Sequence, residues 1–268
     1  MKHFFFLLFA LVFAEQTSAQ QAPGNHPDSL DYDLHLSSTV LLSGGNLSRV
    51  VSQNRLWGSV GNRLLQVVSE NSYRFGKNGS RVVENDVLSR NYLRFFPKSR
   101  WYGYLLGTYE VNHRRSIENR WQLGLGSAYN FYQKTNRDFL RFGITVAQET
   151  ARFKSDSYNL SGFDGTEKIN EPRAIFRFGG VHSVLGKHLV LRHDTWFMAG
   201  LKHSDNYRWH TLLGLQVPVY QGFSFKTELD YTYENLTISG KNPFGTPSSQ
   251  DDWTLSFGVA YDLNSLKK

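Results

Sequence analysis

The chain has 268 residues, no cysteine, 15% aromatic residues and a formal charge of +7. The absence of cysteine excludes a disulfide-rich secreted fold. The basic residues are scattered, with no run longer than two, which argues against a nucleic-acid partner. The mean hydropathy of −0.43 fits a soluble protein, but it equally fits a lipid-facing β-barrel, because half of each barrel strand faces water.

The first 19 residues have the features of an export signal. Lys2 supplies positive charge, and Phe4–Ala14 is an apolar run of 11 residues. Thr17 and Ala19 are small residues at the −3 and −1 positions of a cut after Ala19. A membrane-spanning helix would need ~20 apolar residues. We therefore predict a cleaved signal peptide at 1–19, a periplasmic lead-in at 20–30 and export across the inner membrane.

From residue 31 onward, large apolar residues alternate with small or polar ones, as in strands with two unlike faces. The clearest case is Asp252–Leu263, and Gly61-Asn62 has the sequence of a two-residue hairpin turn. In chain order, the predicted strands are 31–42, 47–60, 63–75, 81–96, 101–111, 120–131, 139–152, 173–183, 189–201, 207–219, 223–234 and 252–263.

Charged residues decide which face of each strand points inward. In the second strand, Gln53 and Arg55 assign the odd-numbered residues to the lumen, because a charge on the lipid face at mid-bilayer costs ~2–4 kcal/mol. In the fourth strand, Glu84 and Asp86 are assigned to the lumen and Val83 to the lipid face.

The spacing of the connections favours a membrane barrel. The two longest, 153–172 and 235–251, both follow odd-numbered strands, whereas a soluble sandwich or a lipocalin-like barrel has no reason to sort its loops in this way. Strands of soluble proteins are also shorter, with ~5–6 residues. We predict an all-β fold, a transmembrane antiparallel up-and-down β-barrel of about 12 strands, at 31–263. A tail at 264–268 follows, and both termini lie in the periplasm.

Charged residues of both signs are assigned to the lumen, and their function has two interpretations. A twelve-stranded barrel is wider than the eight-stranded barrels that side chains fill, and narrower than open porins. The charges therefore form either an ion-pair network that plugs a structural barrel or the lining of a narrow pore for a small anionic or zwitterionic solute. In the second case the eighth to tenth strands would be the cationic wall. The assigned residues are Glu84, Asp86, Arg90, Arg94, Arg141, Glu149, Arg173, Arg177, Arg192, Asp194, Arg208, Lys226, Glu228 and Asp230.

An enzyme is the alternative class. His35-x-Ser37 has the spacing of the His-Ser pair of outer-membrane lipid hydrolases, but both residues would face the lumen, away from lipid. His113-Arg114-Arg115 could contact lipopolysaccharide phosphate, or could be a solvated loop. The sequence contains no metal-ligand motif and no phosphate-binding glycine loop. We predict no catalytic residue, no metal and no cofactor.

Several motifs carry a family resemblance that covers about 34–263. They are the Ser43–Asn46 turn, the block from Tyr109–Asn112 through Arg120–Gly126, and the closing Gly258–Tyr261. The chain resembles the salt-stress-induced outer membrane protein family of Gram-negative bacteria, a domain family of unknown function, although that family usually has Asp where Asn112 stands here. The resemblance implies an outer-membrane barrel surrounded by lipid and lipopolysaccharide, with induction under envelope or osmotic stress. It implies no established activity and no site residues.

The last strand also resembles the assembly signal that the barrel insertion machinery recognises. The signal places a polar residue, a glycine, an aromatic residue and an apolar residue at fixed offsets, which here are Ser256, Gly258, Tyr261 and Leu263. Leu263 stands where an aromatic residue is usual. The resemblance implies the insertion machinery as a partner during assembly.

Overall fold

The computed structural model describes residues 30–43, 49–135, 138–185, 188–239 and 249–263. Within these ranges twelve antiparallel strands form one closed barrel, in which each strand pairs with the next in sequence and β1 pairs with β12. The strands are β1 Asp31–Ser43, β2 Arg49–Gly61, β3 Leu65–Asn78, β4 Arg81–Phe95, β5 Trp101–Asn112, β6 Ile117–Thr135, β7 Asp138–Phe153, β8 Lys168–Val184, β9 Leu189–Gly200, β10 Tyr207–Tyr220, β11 Phe223–Glu234 and β12 Asp251–Asp262.

The predicted fold class and strand number are confirmed. The alternative of a soluble sandwich is wrong, because the described strands form one sheet that closes on itself. The predicted signal peptide and the tail lie outside the described residues. In the described ranges, no helix has the length and apolar character needed to cross a bilayer.

The barrel is apolar outside and polar inside, as the alternation predicts. On β6, Trp121, Leu123 and Leu125 are 54%, 73% and 68% exposed, whereas Gln122 and Asn130 are buried. The ambiguous β2 follows the same rule, since Gln53 is buried inside and Val50 is exposed outside. A soluble fold would bury the apolar face, so this arrangement suits hydrocarbon as the surrounding medium.

A β-bulge overturns one predicted direction. Gly76 of β3 pairs with Glu84 and Lys77 pairs with Val82, which leaves Val83 as an extra residue on β4. A bulge turns two consecutive side chains to the same side of the sheet. Val83 and Glu84 are therefore both buried inside the barrel, and the assignment of Val83 to the lipid face is wrong.

Three connections also differ from prediction. The Gly61-Asn62 turn is longer than two residues, because Asn62 Oδ1 accepts hydrogen bonds from the backbone N–H groups of Leu64 and Leu65 at 2.8 and 3.0 Å. The strands β6 and β8 begin earlier than predicted, at Ile117 and Lys168. Their added residues extend toward a hydrophobic cluster formed by Ile117, Ala151, Phe153, Tyr158, Phe163, Ile169, Leu236 and Ile238.

These connections distinguish the two ends of the barrel. The turn end is the end where β1 begins and β12 ends, and its connections are short, such as 62–64 and 221–222. The loop end carries the long connections 154–167 and 235–250. There a backbone bridge between Tyr158 and Ile238 joins the described parts of these two connections.

A polar quartet interrupts the outward apolar face on β3 and β4. Ser69 donates to Asn91 Oδ1 at 2.7 Å, and Asn91 donates to Ser89 Oγ at 3.0 Å. Ser89 then donates to Asn71 Oδ1 at 2.7 Å, and Asn71 donates to Ser69 Oγ at 2.9 Å. Each side chain gives one hydrogen bond and receives one, which lowers the cost of turning these groups away from water.

The seam between β1 and β12 depends on a close backbone approach. A Cβ atom on Gly258 would lie 2.1 Å from the carbonyl oxygen of Ser38 and 2.6 Å from the Cα atom of Thr39. Both neighbours are backbone atoms of β1, so neither can rotate away. Only glycine fits at this position without displacing a strand.

Candidate functional site in the lumen

Cavities formed by the described residues open the interior of the barrel toward both of its ends. The turn-end cavity has a volume of about 380 Å³, and the loop-end cavity has a volume of about 160 Å³. Glu70, Arg192 and Asp194 line both of them. The boundary between the cavities is therefore made of charged side chains.

We call this boundary the charged belt and define it as Glu70, Arg90, Arg177, Arg192 and Asp194. Arg177 holds Asp194 with two hydrogen bonds of 2.6 and 2.7 Å. Glu70 accepts from Arg90 at 3.3 Å and from Arg192 at 3.2 Å, and it lies 3.6 Å from Arg177. The belt joins β3 and β4 to β8 and β9, and so it crosses the lumen.

The loop-end charges are densely matched. Glu149 is almost fully buried and accepts two hydrogen bonds from Arg173, at 3.1 and 2.7 Å. It also accepts a hydrogen bond from Arg208 and lies 3.9 Å from Arg120. Glu234 pairs with Arg120 as well. A carboxylate that contacts three guanidinium groups has the partners that a buried charge requires.

A second matched group lies on β2 and β11. Arg55 bridges Glu228 and Asp230 at 2.6 and 2.8 Å, and Lys226 pairs with Glu228 at 2.9 Å. Arg74 lies 3.5 Å from Asp230. These ion pairs join β2 and β3 to β11 on the inner side of the β1–β12 seam.

The structure places the fourteen charged residues assigned to the lumen on the inner side of the wall, while their role stays a proposal. The sequence suggested that the eighth to tenth strands form a cationic wall, but the structure pairs the arginines of these strands with carboxylates. Arg173, Arg177, Arg192 and Arg208 each contact a carboxylate, so the positive charge of that wall is neutralised.

Two arginines of the turn-end cavity have a different environment. Arg94 donates to Gln66 Oε1 at 3.2 Å, and Arg141 donates to the hydroxyl oxygen of Tyr102 at 3.2 Å. In the described part of the chain, neither guanidinium lies within 4.0 Å of a carboxylate oxygen. Positive charge in the lumen is therefore concentrated at a place that the sequence did not indicate.

Aromatic residues of this cavity were missed by sequence reasoning. Tyr102 and Tyr104 on β5 are buried inside, next to Tyr92 on β4, while Trp101 and Leu105 face outward. Both faces of β5 carry large apolar groups, so alternation alone could not orient it. The pairing of β5 with the clearly alternating β6 was the signal that could have oriented it, because directly paired residues share a face.

The arrangement around His35 and Ser37 does not favour a hydrolase. His35 Nδ1 lies 2.6 Å from Asp262 Oδ1, and Ser37 Oγ accepts a hydrogen bond from Lys226 at 3.1 Å. Among the described residues, His35 and Ser37 do not form a hydrogen bond with each other. A nucleophile needs its base within hydrogen-bond reach, and both side chains line the lumen, away from lipid.

The His113-Arg114-Arg115 segment is drawn into the mouth of the barrel. Arg114 pairs with Asp252 at 2.8 Å and Arg115 with Glu234 at 3.2 Å. Burial, with the nearby Lys154, lowers the pKa of His113 and so disfavours a positive charge on this side chain. The segment is therefore poorly suited to bind phosphate. Groups of three or more metal-ligating side chains are absent from the described ranges.

The closed barrel, with its apolar outside and its charged inside, defines a β-barrel protein of the outer-membrane type. The chain matches the family model described as "Protein of unknown function, DUF481" over residues 66–263, and it belongs to that family. An unknown function agrees with the resemblance found in the sequence. The family description does not mention salt stress, so that part of the resemblance stays a prediction.

The chain is similar to several solved structures at low sequence identity. The NanC porin is 13% identical with a TM-score of 0.52, and the match covers 86% of this chain and 100% of that one. The translocator domain of the autotransporter NalP from Neisseria meningitidis has 11% identity, a TM-score of 0.41 and coverages of 97% and 95%. The anion-selective porin from Comamonas acidovorans has 9% identity, a TM-score of 0.38 and coverages of 88% and 100%. The likeness to the NanC porin is one of fold alone. Among curated proteins, none matches the sequence.

Proposed function

We propose that the protein is a narrow pore for small solutes in the outer membrane of a Gram-negative bacterium, constricted by the charged belt. The observation that carries this proposal is that Glu70, Arg192 and Asp194 line both cavities, so that, among the described residues, side chains of the charged belt lie between them. Glu70 lies within reach of three arginines, Arg90, Arg177 and Arg192. A carboxylate with several near-equivalent partners can exchange them and let a small solute pass, whereas a backbone plug could not.

The membrane location rests on the outward apolar band and on the export signal. We place the turn end toward the periplasm, with lipid and lipopolysaccharide around the barrel. The mature chain should remain with the envelope after a salt wash and should begin at Gln20. Recovery of the mature chain as a soluble protein would contradict this location.

The insertion machinery is the proposed partner during assembly, and it would recognise β12 through Ser256, Gly258, Tyr261 and Leu263. In support, β12 is the strand that closes the barrel. Leu263 is 40% exposed, on the face that a recognition partner could contact.

Single-channel recording in planar bilayers tests the pore. The wild-type protein should give small, steady conductance steps. Glu70→Gln leaves the three belt arginines with less negative charge, so the steps should change in size and the selectivity should shift toward anions. Asp31→Asn is the matched control, because Asp31 is exposed at the turn-end rim and pairs with Lys98 at 2.8 Å. This control should behave as wild type.

The competing function is a plugged structural barrel. It predicts silence from the wild type and from Glu70→Gln, even when both proteins are folded and inserted. That result would overturn the pore. If the wild type and Glu70→Gln conduct equally, the charged belt is not the constriction of the pore.

A further inference from the structure

The unmatched guanidinium groups of Arg94 and Arg141 are exceptional within this lumen. Burying a cation without a counter-charge is costly, and two cations in one cavity also repel each other. Neither has a carboxylate partner in the described ranges. The other lumen arginines do have one, namely Arg55, Arg74, Arg90, Arg114, Arg115, Arg120, Arg173, Arg177, Arg192 and Arg208.

Aromatic rings hold these two cations in place. The guanidinium carbons of Arg94 and Arg141 lie 5.8 and 5.9 Å from the centre of the Tyr102 ring. Arg141 also lies 3.8 Å from the ring centre of Phe139, and Arg94 lies 5.6 Å from that of Tyr92. Such contacts stabilise a cation but leave its hydrogen-bond donors available. Arg141 Nε makes no hydrogen bond within the described part of the chain.

The cavity next to these cations has the size of a small-ligand site. Its 380 Å³ falls at the lower end of the ~300–1,000 Å³ of typical ligand pockets. Besides the two arginines, Trp57, Val68, Tyr102 and Phe139 line it. The combination of aromatic walls and two guanidinium groups beside one tyrosine ring suits a ligand with an apolar body and one anionic group.

We propose that the turn-end cavity binds a small organic carboxylate, whose carboxylate group lies between Arg94 and Arg141 and whose body packs against the aromatic wall. The guanidinium fork matches a carboxylate in geometry and binds it with two hydrogen bonds. The ligand then supplies the counter-charge that the chain does not. A small organic carboxylate would then be the class of solute that the proposed pore carries. The transport role of the site rests on the proposed function, whereas the binding of a carboxylate does not require conduction.

Benzoate is the probe, and benzamide is its uncharged counterpart of nearly the same shape. In calorimetric titrations of the folded, detergent-solubilised protein, wild type should bind benzoate saturably and at least tenfold more tightly than benzamide. Arg94→Gln and Arg141→Gln should each weaken benzoate binding tenfold or more and leave benzamide binding unchanged. Arg114→Gln, which removes an arginine of the loop end, should bind benzoate as wild type does.

Two further variants keep the test valid if a glutamine variant fails to fold. Arg94→Lys and Arg141→Lys keep the charge but lose the fork, so they should bind benzoate with intermediate affinity. Equal binding of benzoate and benzamide by wild type would overturn the proposal, as would unchanged benzoate binding in folded variants of Arg94 and Arg141.

Bilayer recording separates this proposal from the proposed function. Arginine-dependent benzoate binding by a barrel that never conducts would retain the site and reject the pore. Steady conductance without benzoate binding or benzoate block would retain the pore and reject the site. When both hold, millimolar benzoate should reduce the wild-type conductance, and Arg141→Gln should abolish that block.

Discussion

The two ends of the lumen bury arginines in opposite ways. At the loop end, Glu149 contacts Arg120, Arg173 and Arg208, so charge is matched inside the chain. At the turn end, Arg94 and Arg141 contact an amide oxygen, a hydroxyl and aromatic rings. The difference indicates that matched charges maintain the structure, whereas unmatched charges in an accessible cavity leave a place for a ligand.

Removing the central carboxylate of the loop end should give the largest effect. Glu149→Gln leaves three buried guanidinium groups short of counter-charge, so the free energy of unfolding should fall by about 3–5 kcal/mol. Urea unfolding in detergent, followed by the mobility of the folded barrel in gels, measures it. Glu118→Gln is the control, because it breaks an exposed pair of 3.2 Å with Arg152 and should cost at most ~1 kcal/mol. If Glu149→Gln and Glu118→Gln lose the same free energy of unfolding, the matching of buried charges at the loop end does not stabilise the barrel.

Straining the seam should weaken both ends together. Gly258→Ala forces a methyl group against the β1 backbone, which should cost about 1–3 kcal/mol and slow barrel closure. The rate at which the compact gel species appears during refolding reports this. Gly107→Ala is the matched change, since its nearest neighbour would lie 3.7 Å away and refolding should be unaffected. If Gly258→Ala refolds at the wild-type rate, the close approach is not required.

At the turn end, removing a cation should stabilise the protein, in contrast to the loss of stability expected from the change at the loop end. Arg141→Met replaces an unmatched charge with an apolar side chain of similar length, so the free energy of unfolding should rise by about 1–2 kcal/mol while benzoate binding is lost. Arg173→Met at the loop end removes a matched charge and should lower stability. Thermal unfolding of both variants decides the comparison, and a fall in both would break it.

Changes in the outward polar quartet should have the smallest effect on stability. They test whether uncharged polar groups, like the buried charges, stabilise the barrel only when each has a partner. Asn71→Leu alone removes the hydrogen-bond partner of Ser69 and Ser89, which should cost about 1 kcal/mol. Replacing Ser69, Asn71, Ser89 and Asn91 together by Ala and Leu should be nearly neutral, because no polar group is then left without a partner. A quadruple variant less stable than Asn71→Leu would contradict this. Urea midpoints compare the two.

Much of the wall could be predicted because period-two alternation is local. Asp252–Leu263 and the residues around Leu123 carry their inward and outward sides in the sequence itself. Gln53 and Arg55 oriented β2 correctly, since a charge tolerates the lumen better than lipid. Val83 escaped this reasoning, because a bulge depends on the register with β3. The face of β5 escaped it too, because its large residues alternate with other large residues.

The sequence by itself determined that this chain forms a twelve-stranded barrel with charges inside, because each strand carries that information in its own residues. Only the tertiary structure decided which charges meet. Arg55 reaches Glu228 across the seam, 173 positions away, and Arg94 shares Tyr102 with Arg141. Such contacts depend on barrel width and strand register, which are properties of the closed sheet and not of any one strand.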